Sequence, residues 1–275
     1  MPDELYEKTL RDYASLGGGD LALTTVVGDP LLDVNFVQRI RRARALKAIQ
    51  RIGTITNCLD IHKVGAKELL TSGLTSLTVS TTGFDADMYQ RVYRSSRYED
   101  MRRNVVDLVR TNHALGKPVR IAIALRIDRP AQEILALPDF QEVRQLADSV
   151  DFNPYFDSWS GRIKPEDLTG QMKLRSASLF LLKKHVPCGL LWSGTGVLAD
   201  GTVTACCCRD LDGDSDLVLG NIEKNSLREM WQSQRMKDLR QEWQNAGRLP
   251  NICRDCTHYH PYTHLMLKEF RNAFM

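Results

Sequence analysis

The 275-residue chain predicts an α/β architecture with a parallel sheet, followed by a smaller α+β segment rich in cysteine. Three observations carry this. From the N-terminus to Phe156, short runs rich in Val, Ile and Thr alternate with segments of helical periodicity, the pattern of βαβ units. From Phe156 to Ser178 that alternation lapses. Beyond it, six of the seven cysteines fall after residue 187.

The elements follow in order. Pro2, Asp3 and Glu4 start a helix whose apolar stripe is Leu5, Leu10, Tyr13 and Leu16, and Gly17-Gly18-Gly19 ends it. Asp20–Val27 reads as a strand stopped by Gly28-Asp29-Pro30. An Arg-rich helix passes through Phe36, Ile40, Ala43 and Ile49. Arg51–Thr56 is a strand, Lys63–Ser72 a helix closed by Gly73, and Leu74–Ser80 the next strand. A long helix covers Tyr98–Leu115. Val119–Leu125 is a strand, Phe140–Ala147 a helix and Val150–Tyr155 a strand. After the lapse, Leu190–Leu198 and Thr202–Cys206 form a two-strand hairpin around Asp200-Gly201. A helix from Ser226 to Trp243 and a Cys253–Cys256 tail complete the chain. The expected organisation is a sheet part over 1–156, a linker over 157–180 and a cysteine domain over 181–275.

Composition excludes several classes. With 43% hydrophobic and 26% charged residues the chain resembles ordinary globular proteins, and its length supports a core without disulfide staples. A net charge of +3 is too balanced to argue for a nucleic-acid or membrane partner. No apolar run approaches the ~18 residues of a transmembrane helix. The opening MPDELYEKTLRDY is charged and helical rather than a signal peptide, so a reducing, cytoplasmic setting is expected. In that setting an odd, clustered cysteine set reads as metal or redox chemistry.

Cys253-Arg-Asp-Cys256 alone fits a zinc knuckle, an iron–sulfur ligand pair or a redox dithiol. The hairpin brings Cys188 and Cys206 to one end of a small sheet, so four thiolates can converge on either Zn²⁺ or an iron–sulfur cluster. Cys207 points away from Cys206 on a strand, whereas Cys208 shares its face and competes with it as the fourth ligand.

Cys188-x12-Gly201-x4-Cys206, Gly220-Asn221-Ile222, Ser226-Leu227-x3-Trp231 and Cys253-x2-Cys256 together resemble the SPASM/twitch extension of radical S-adenosylmethionine (radical SAM) enzymes. With no cysteine after Cys256, the single-cluster twitch variant is the better match. The resemblance implies an auxiliary [4Fe–4S] cluster on Cys188, Cys206, Cys253 and Cys256. It also implies that the upstream part is a partial (β/α)6 barrel. Gly28-Asp29-Pro30-Leu31-Leu32 resembles the family's Gly-Glu-Pro-Leu-Leu element, whose backbone receives the amino group of S-adenosylmethionine. Carbonyls freed at a strand's C-terminal end suit an ammonium, and barrel sites sit at that end. Thr56-Asn57 resembles Thr-Asn-Gly with Cys58 in place of Gly. Ser80-x-Thr82-Gly83-Phe84 resembles Ser-x-Asp-Gly with Thr82 in place of Asp. Ser80, Arg126 and Asn153 stand at strand ends where the family contacts the cofactor's ribose and carboxylate. The implied cofactor residues are therefore Gly28, Asp29, Pro30, Asn57, Ser80, Thr82, Arg126 and Asn153.

The implied activity is oxidation or cross-linking of a small metabolite or peptide, with an electron donor such as a flavodoxin or ferredoxin. One departure counts against it. The family's Cys-x3-Cys-x2-Cys, which binds the radical-generating cluster ahead of the first helix, has no counterpart in this sequence, and the single Cys58 cannot replace it. The chain as given is expected to lack the first barrel strand and the means to start a radical. Asp20–Val27 then becomes a sheet edge that favours self-association. The alternatives are an iron–sulfur-binding homologue or partner without radical chemistry, and a zinc-bearing scaffold on the same thiolates. Among smaller signals, His258, His260 and His264 read as solvated or outer groups and Trp159 as a packed anchor. Arg39, Arg41, Arg42 and Arg44 read as a solvated helix face.

Overall fold

A computed structural model describes residues 1–159, 161–175, 188–207, 210, 212–213, 215–246, 249–254 and 256–259, the side chains of 242–246 excepted. The chain packs as two units: residues 17–156 with 165–173, and residues 1–16 with 157–164 and 174–275.

The first of these holds a five-stranded sheet, entirely parallel, in the sequential order β1-β2-β3-β4-β5. The strands are β1 (Gly19–Ala22), β2 (Ile49–Thr56), β3 (Ser76–Thr82), β4 (Arg120–Arg126) and β5 (Ser149–Asn153). Between them run α2 (Phe36–Arg44), α3 (Ala66–Leu70), α4 (Ala86–Tyr93), α5 (Tyr98–Ala114), α6 (Ala131–Leu135) and α7 (Pro138–Leu146). Right-handed crossovers between strands in sequential order place every connecting helix on the same face. Among the described residues the sheet does not close into a barrel.

The register shows the consequence. Ile52, Leu77, Val79, Ile121, Ile123 and Leu125 share one face and are at most 1% exposed. The other face carries Gly53 and Ile55, then Ser76, Thr78, Ser80 and Thr82, then Arg120 and Arg126, then Asp151 and Asn153. On it Ile55 is 47% exposed, and Asp20 of β1 pairs with Arg51 of β2 at 2.6 Å. Parallel sheets are ordinarily covered on both faces. Here the second face mixes small and apolar residues, Ala22, Gly53, Ile55, Ala122 and Ala124, with these polar ones.

β1 is shorter than the expected Asp20–Val27. After Leu23, whose N–H still donates to the Gly53 carbonyl at 2.9 Å, the chain bends, and the Thr25 hydroxyl donates to the Gly28 carbonyl. β1 ends the strand order and pairs only with β2. The Arg-rich helix stops at Arg44, so Ile49 opens β2 instead of closing the helix. Two short strands, β6 (Tyr155–Phe156) and β7 (Lys173–Leu174), pair with each other. Within the stretch expected to be a linker, residues 165–173 pack on the sheet unit, where Gln171 and Lys173 N–H groups donate to Asp128 and Pro154 carbonyls.

The second unit is built on a three-stranded antiparallel sheet, ordered β10-β9-β8. Its strands are β8 (Gly196–Val197), β9 (Thr202–Thr204) and β10 (Val218–Asn221). The expected turn at Asp200-Gly201 is present: Thr202 N–H donates to Asp200 Oδ1, and Gly201 adopts φ +86°. The expected strand Leu190–Leu198 is not. Leu190–Ser193 instead forms a helical turn, closed by Leu191 N–H to the Cys188 carbonyl, and only Gly196 and Val197 pair. The expected helix from Ser226 to Trp243 is two helices, Leu227–Trp231 and Gln234–Ala246, because the Ser233 hydroxyl accepts from Met236 N–H and restarts the turn.

Helix α1 (Asp3–Ser15), read from the sequence as part of the barrel, belongs to this second unit. Its Leu5 and Tyr13 pack on the cluster of Val203, Ile222, Leu227 and Met230. Its Asp12 carboxylate accepts from Leu227 N–H at 3.1 Å, and its Ser15 carbonyl accepts from Arg228. No helix among the described residues is long and apolar enough to cross a membrane.

Candidate functional site

In the sheet unit, the implied cofactor residues gather at the C-terminal ends of the strands. Asp29 is buried, and its carboxylate accepts from Leu31 N–H at 3.0 Å, Thr56 Oγ1 at 2.9 Å and Asn57 N–H at 2.7 Å. That network ties the 3₁₀ turn Pro30–Leu32 to the end of β2. The Asp29 side chain is thus consumed in holding the loop, which leaves backbone as the part of Gly28-Asp29-Pro30 able to meet a ligand. Gly28 sits at φ +90° with open space beyond its Cα. Cys58 occupies the left-handed region at φ 62°, the conformation that glycine takes most readily, and burial pushes its thiol up. Asn57 uses its side-chain oxygen to accept from Leu59 N–H.

Thr82, Arg126 and Asn153 form one cross-strand row, Thr82 opposite Arg126 and Arg126 opposite Asn153, with Ser80 two residues before Thr82 on the same face. The Thr82 hydroxyl is buried and has no hydrogen-bond partner among the described residues. Arg126 lies 4.7 Å over the Phe156 ring, and its charge works against the burial that pushes the Tyr93 hydroxyl up. Tyr93 in turn donates to the Ser80 carbonyl. Asn153 accepts from Tyr155 N–H. A row with one orphaned hydroxyl, one guanidinium held by aromatic neighbours and freed carbonyls beside it fits a ligand bearing hydroxyl, carboxylate and ammonium groups. Tyr93 and Phe156 had no signal in the sequence, since their role depends on register rather than on a motif.

In the second unit, Cys188, Cys206, Cys253 and Cys256 line one cavity. Three of them are 8% exposed, Cys206 is half-buried and Cys207 is exposed. The rest of the lining is mostly apolar, Leu190, Leu191, Ala205 and Leu217, with His258 and the Tyr259 phenol as further titratable groups. Cys188 and Cys253 also belong to the apolar cluster of Leu191, Met236 and Leu239. The helical turn places Cys188, the strand end Cys206, and the turn Asn251–Arg254 Cys253, from which Cys256 N–H returns to the Cys253 carbonyl. Among the described residues, no three Cys, His, Asp or Glu side chains stand as a single-ion site. Four thiols around a shared apolar space suit an iron–sulfur cluster or a structural zinc ion. Cys208, His260 and His264 lie outside the described residues.

The pieces of the motif without ligands have structural work. Gly220, at φ 152°, sits at the register shift in β10, where a Cβ would meet the Met230 sulfur at 3.0 Å. Asn221 donates to the Asp200 carbonyl, and Ser226 with Glu229 forms a capping box. Ser158 N–H donates to the hydroxyl of Thr257, the residue after Cys256. Trp159 follows at φ 48°, its own N–H turned onto the Asp157 carboxylate.

Residues 188–257 match the SPASM family, described as an iron–sulfur cluster-binding domain. A curated relative, the GTP 3′,8-cyclase of Lactiplantibacillus plantarum, is 30% identical over 99 residues, covering 36% of this chain and 29% of that protein. The chain therefore spans under a third of the length of that relative. Among solved structures, BtrN in complex with AdoMet and 2-DOIA superposes over 96% of this chain and 83% of its own, at 15% identity and a TM-score of 0.55. Native anSMEcpe with bound AdoMet and a Kp18Cys peptide superposes over 98% and 87%, at 13% identity and a TM-score of 0.56.

Proposed function

We propose that this chain, a radical SAM-fold protein with a C-terminal SPASM domain, binds S-adenosylmethionine at the strand ends of its sheet and an auxiliary [4Fe–4S] cluster on Cys188, Cys206, Cys253 and Cys256. The observation that carries the reading is the single apolar cavity shared by those four thiols. When bound, the cluster supplies a one-electron relay, and S-adenosylmethionine supplies a source of radical chemistry. The chain's own residues do the rest. Asp29 fixes the loop so that the Gly28 backbone is offered to an ammonium. Arg126, steadied over Phe156, meets a carboxylate, and Thr82 and Asn153 meet hydroxyls. The apolar lining of the thiol cavity excludes water and so protects the sulfurs.

The substrate class is a small molecule or a peptide. BtrN and anSMEcpe are described with one of each bound. The proposed activity is oxidation or cross-linking of that substrate in the cytoplasm, fed by an electron donor such as a flavodoxin or ferredoxin; it would also need an initiating cluster, whose Cys-x3-Cys-x2-Cys ligands this sequence does not contain. The proposed domains are a sheet domain and a cysteine domain, with the expected 157–180 linker divided between them and residues 1–16 on the cysteine side. Equilibrium dialysis with labelled S-adenosylmethionine tests the sheet-end site. Binding weakened at least tenfold by Arg126→Ala and by Thr82→Val supports it. Binding unchanged in both variants, or absent from the wild type, counts against it.

A further inference from the structure

Arg240, on the helix Gln234–Ala246, has no carboxylate partner among the described residues. Its Nε donates to the Leu191 carbonyl at 3.1 Å, and its guanidinium lies 4.3 Å over the Trp231 ring. Its Nη2 is buried and has no hydrogen-bond partner among the described residues. Burial works against its charge, and no carboxylate among the described residues pairs with it to offset that. A partly buried guanidinium whose Nη2 finds no acceptor among the described residues gives up hydration that the Leu191 carbonyl and the Trp231 ring replace only in part.

Its neighbours show where the counter-charge belongs. Leu191, whose carbonyl Arg240 holds, lines the cavity with the four thiols. Met236 and Leu239, from the same helix, form one apolar cluster with Cys188, Cys253 and Leu191, and Trp231 packs against that cluster. Four thiolates on an iron–sulfur core leave an anionic assembly, which becomes more so when it takes up an electron. In an apolar surrounding, a charge next to it is screened weakly.

We infer that Arg240 is the counter-charge of the four-cysteine cradle and raises the reduction potential of the cluster held there. The inference rests on the reading that those cysteines hold a cluster, and goes beyond it by naming the residue that poises it. Arg240 touches no ligand sulfur through any described hydrogen bond, so it acts as a positioning and electrostatic residue through Leu191 and Trp231.

The test uses the full chain, reconstituted anaerobically with iron and sulfide, in the wild type, Arg240→Met, Arg240→Gln and Arg240→Lys. Iron and sulfide content is measured first, then the midpoint potential by redox titration followed by electron paramagnetic resonance. The expected result is equal iron loading with a lowered potential in the Met and Gln variants. Held at the wild-type midpoint, their ratio of reduced to oxidised cluster falls at least threefold, about 30 mV at 59 mV per tenfold for one electron. The Lys variant, which keeps the charge, stays within that interval. Loaded Met and Gln variants with an unmoved potential overturn the inference. A Lys variant displaced as far as the Met variant also overturns it, since that outcome marks a packing role. Should the Met variant fail to load, the Gln variant, which can still reach the Leu191 carbonyl, decides by the same criterion. A wild-type chain that takes up no iron overturns the cluster reading itself, a result distinct from an unmoved potential.

Discussion

Replacing Asp29 by Ala removes the acceptor of three donors at once, Leu31 N–H, Thr56 Oγ1 and Asn57 N–H. A buried donor left unsatisfied costs about 1–3 kcal/mol. The low end applies, because the Thr56 hydroxyl can rotate and Asn57 is only half-buried, which gives roughly 3 kcal/mol in all. At about 2–4 °C per kcal/mol for a domain of this size, the melting temperature of the sheet unit falls by about 6–12 °C. Asp29→Asn keeps one acceptor oxygen but turns its amide hydrogens toward donors, so it falls between the two. Calorimetry of the purified chain measures this, with Thr56→Val and the double variant completing a cycle. Residues sharing a hydrogen bond couple, and the cycle should show an interaction energy of about 1 kcal/mol. Asp29→Ala melting within about 2 °C of the wild type refutes the reasoning. So does strict additivity of the two substitutions.

Three further outcomes follow from the same structure. Cys58 is buried with its thiol pushed up, whereas Cys207 is exposed. Iodoacetamide at neutral pH should therefore label Cys207 in the folded chain, and Cys58 only after denaturation, as read by peptide mass spectrometry. Gly18 sits at φ +67°, and a Cβ there meets the Ala48 carbonyl oxygen at 2.2 Å, whereas Gly17 at φ +105° faces open space. Gly18→Ala should cost about 1–3 kcal/mol in denaturant titration and more than Gly17→Ala, and equal costs would contradict the packing described. The Glu229 carboxyl is held below the usual carboxylate range by the Ser226 N–H and hydroxyl. A folded value below the unfolded one contributes stability above the unfolded value, and that contribution is lost as the pH falls through the folded one. The melting-temperature gap between wild type and Glu229→Gln should accordingly shrink on acidification from neutral pH to below about pH 4. A gap that widens reverses the sign.

Much of this architecture is legible because its cues are local. Asp3–Ser15 is delimited by Pro2 and the glycines after it, and Tyr98–Ala114 by seventeen residues of unbroken helical periodicity. The hairpin turn is legible for the same reason, since Asp200-Gly201 supplies both the carboxylate and the left-handed φ that it needs. Elements decided by tertiary packing are not legible. Leu190–Leu198 reads as a strand from its Leu-Leu-Trp run, yet Leu191 and Trp192 N–H groups bond back to Cys188 and Gly189. The partner of α1 is likewise hidden, because Leu5 and Tyr13 would serve any apolar surface. At the sites, Cys188, Cys206, Cys253 and Cys256 are announced by spacing. Arg240 carries no such signal. It is one arginine on a helix until Leu191 and Trp231 are placed beside it.

The central claim is that the four thiols of one cavity hold an iron–sulfur cluster, and anaerobic reconstitution followed by metal and sulfide analysis tests it most directly. About four irons and four sulfides per chain with absorbance near ~400 nm are expected, lost when Cys253 and Cys256 are both replaced by Ala. About one zinc per chain, with no charge-transfer band and no sulfide, contradicts it.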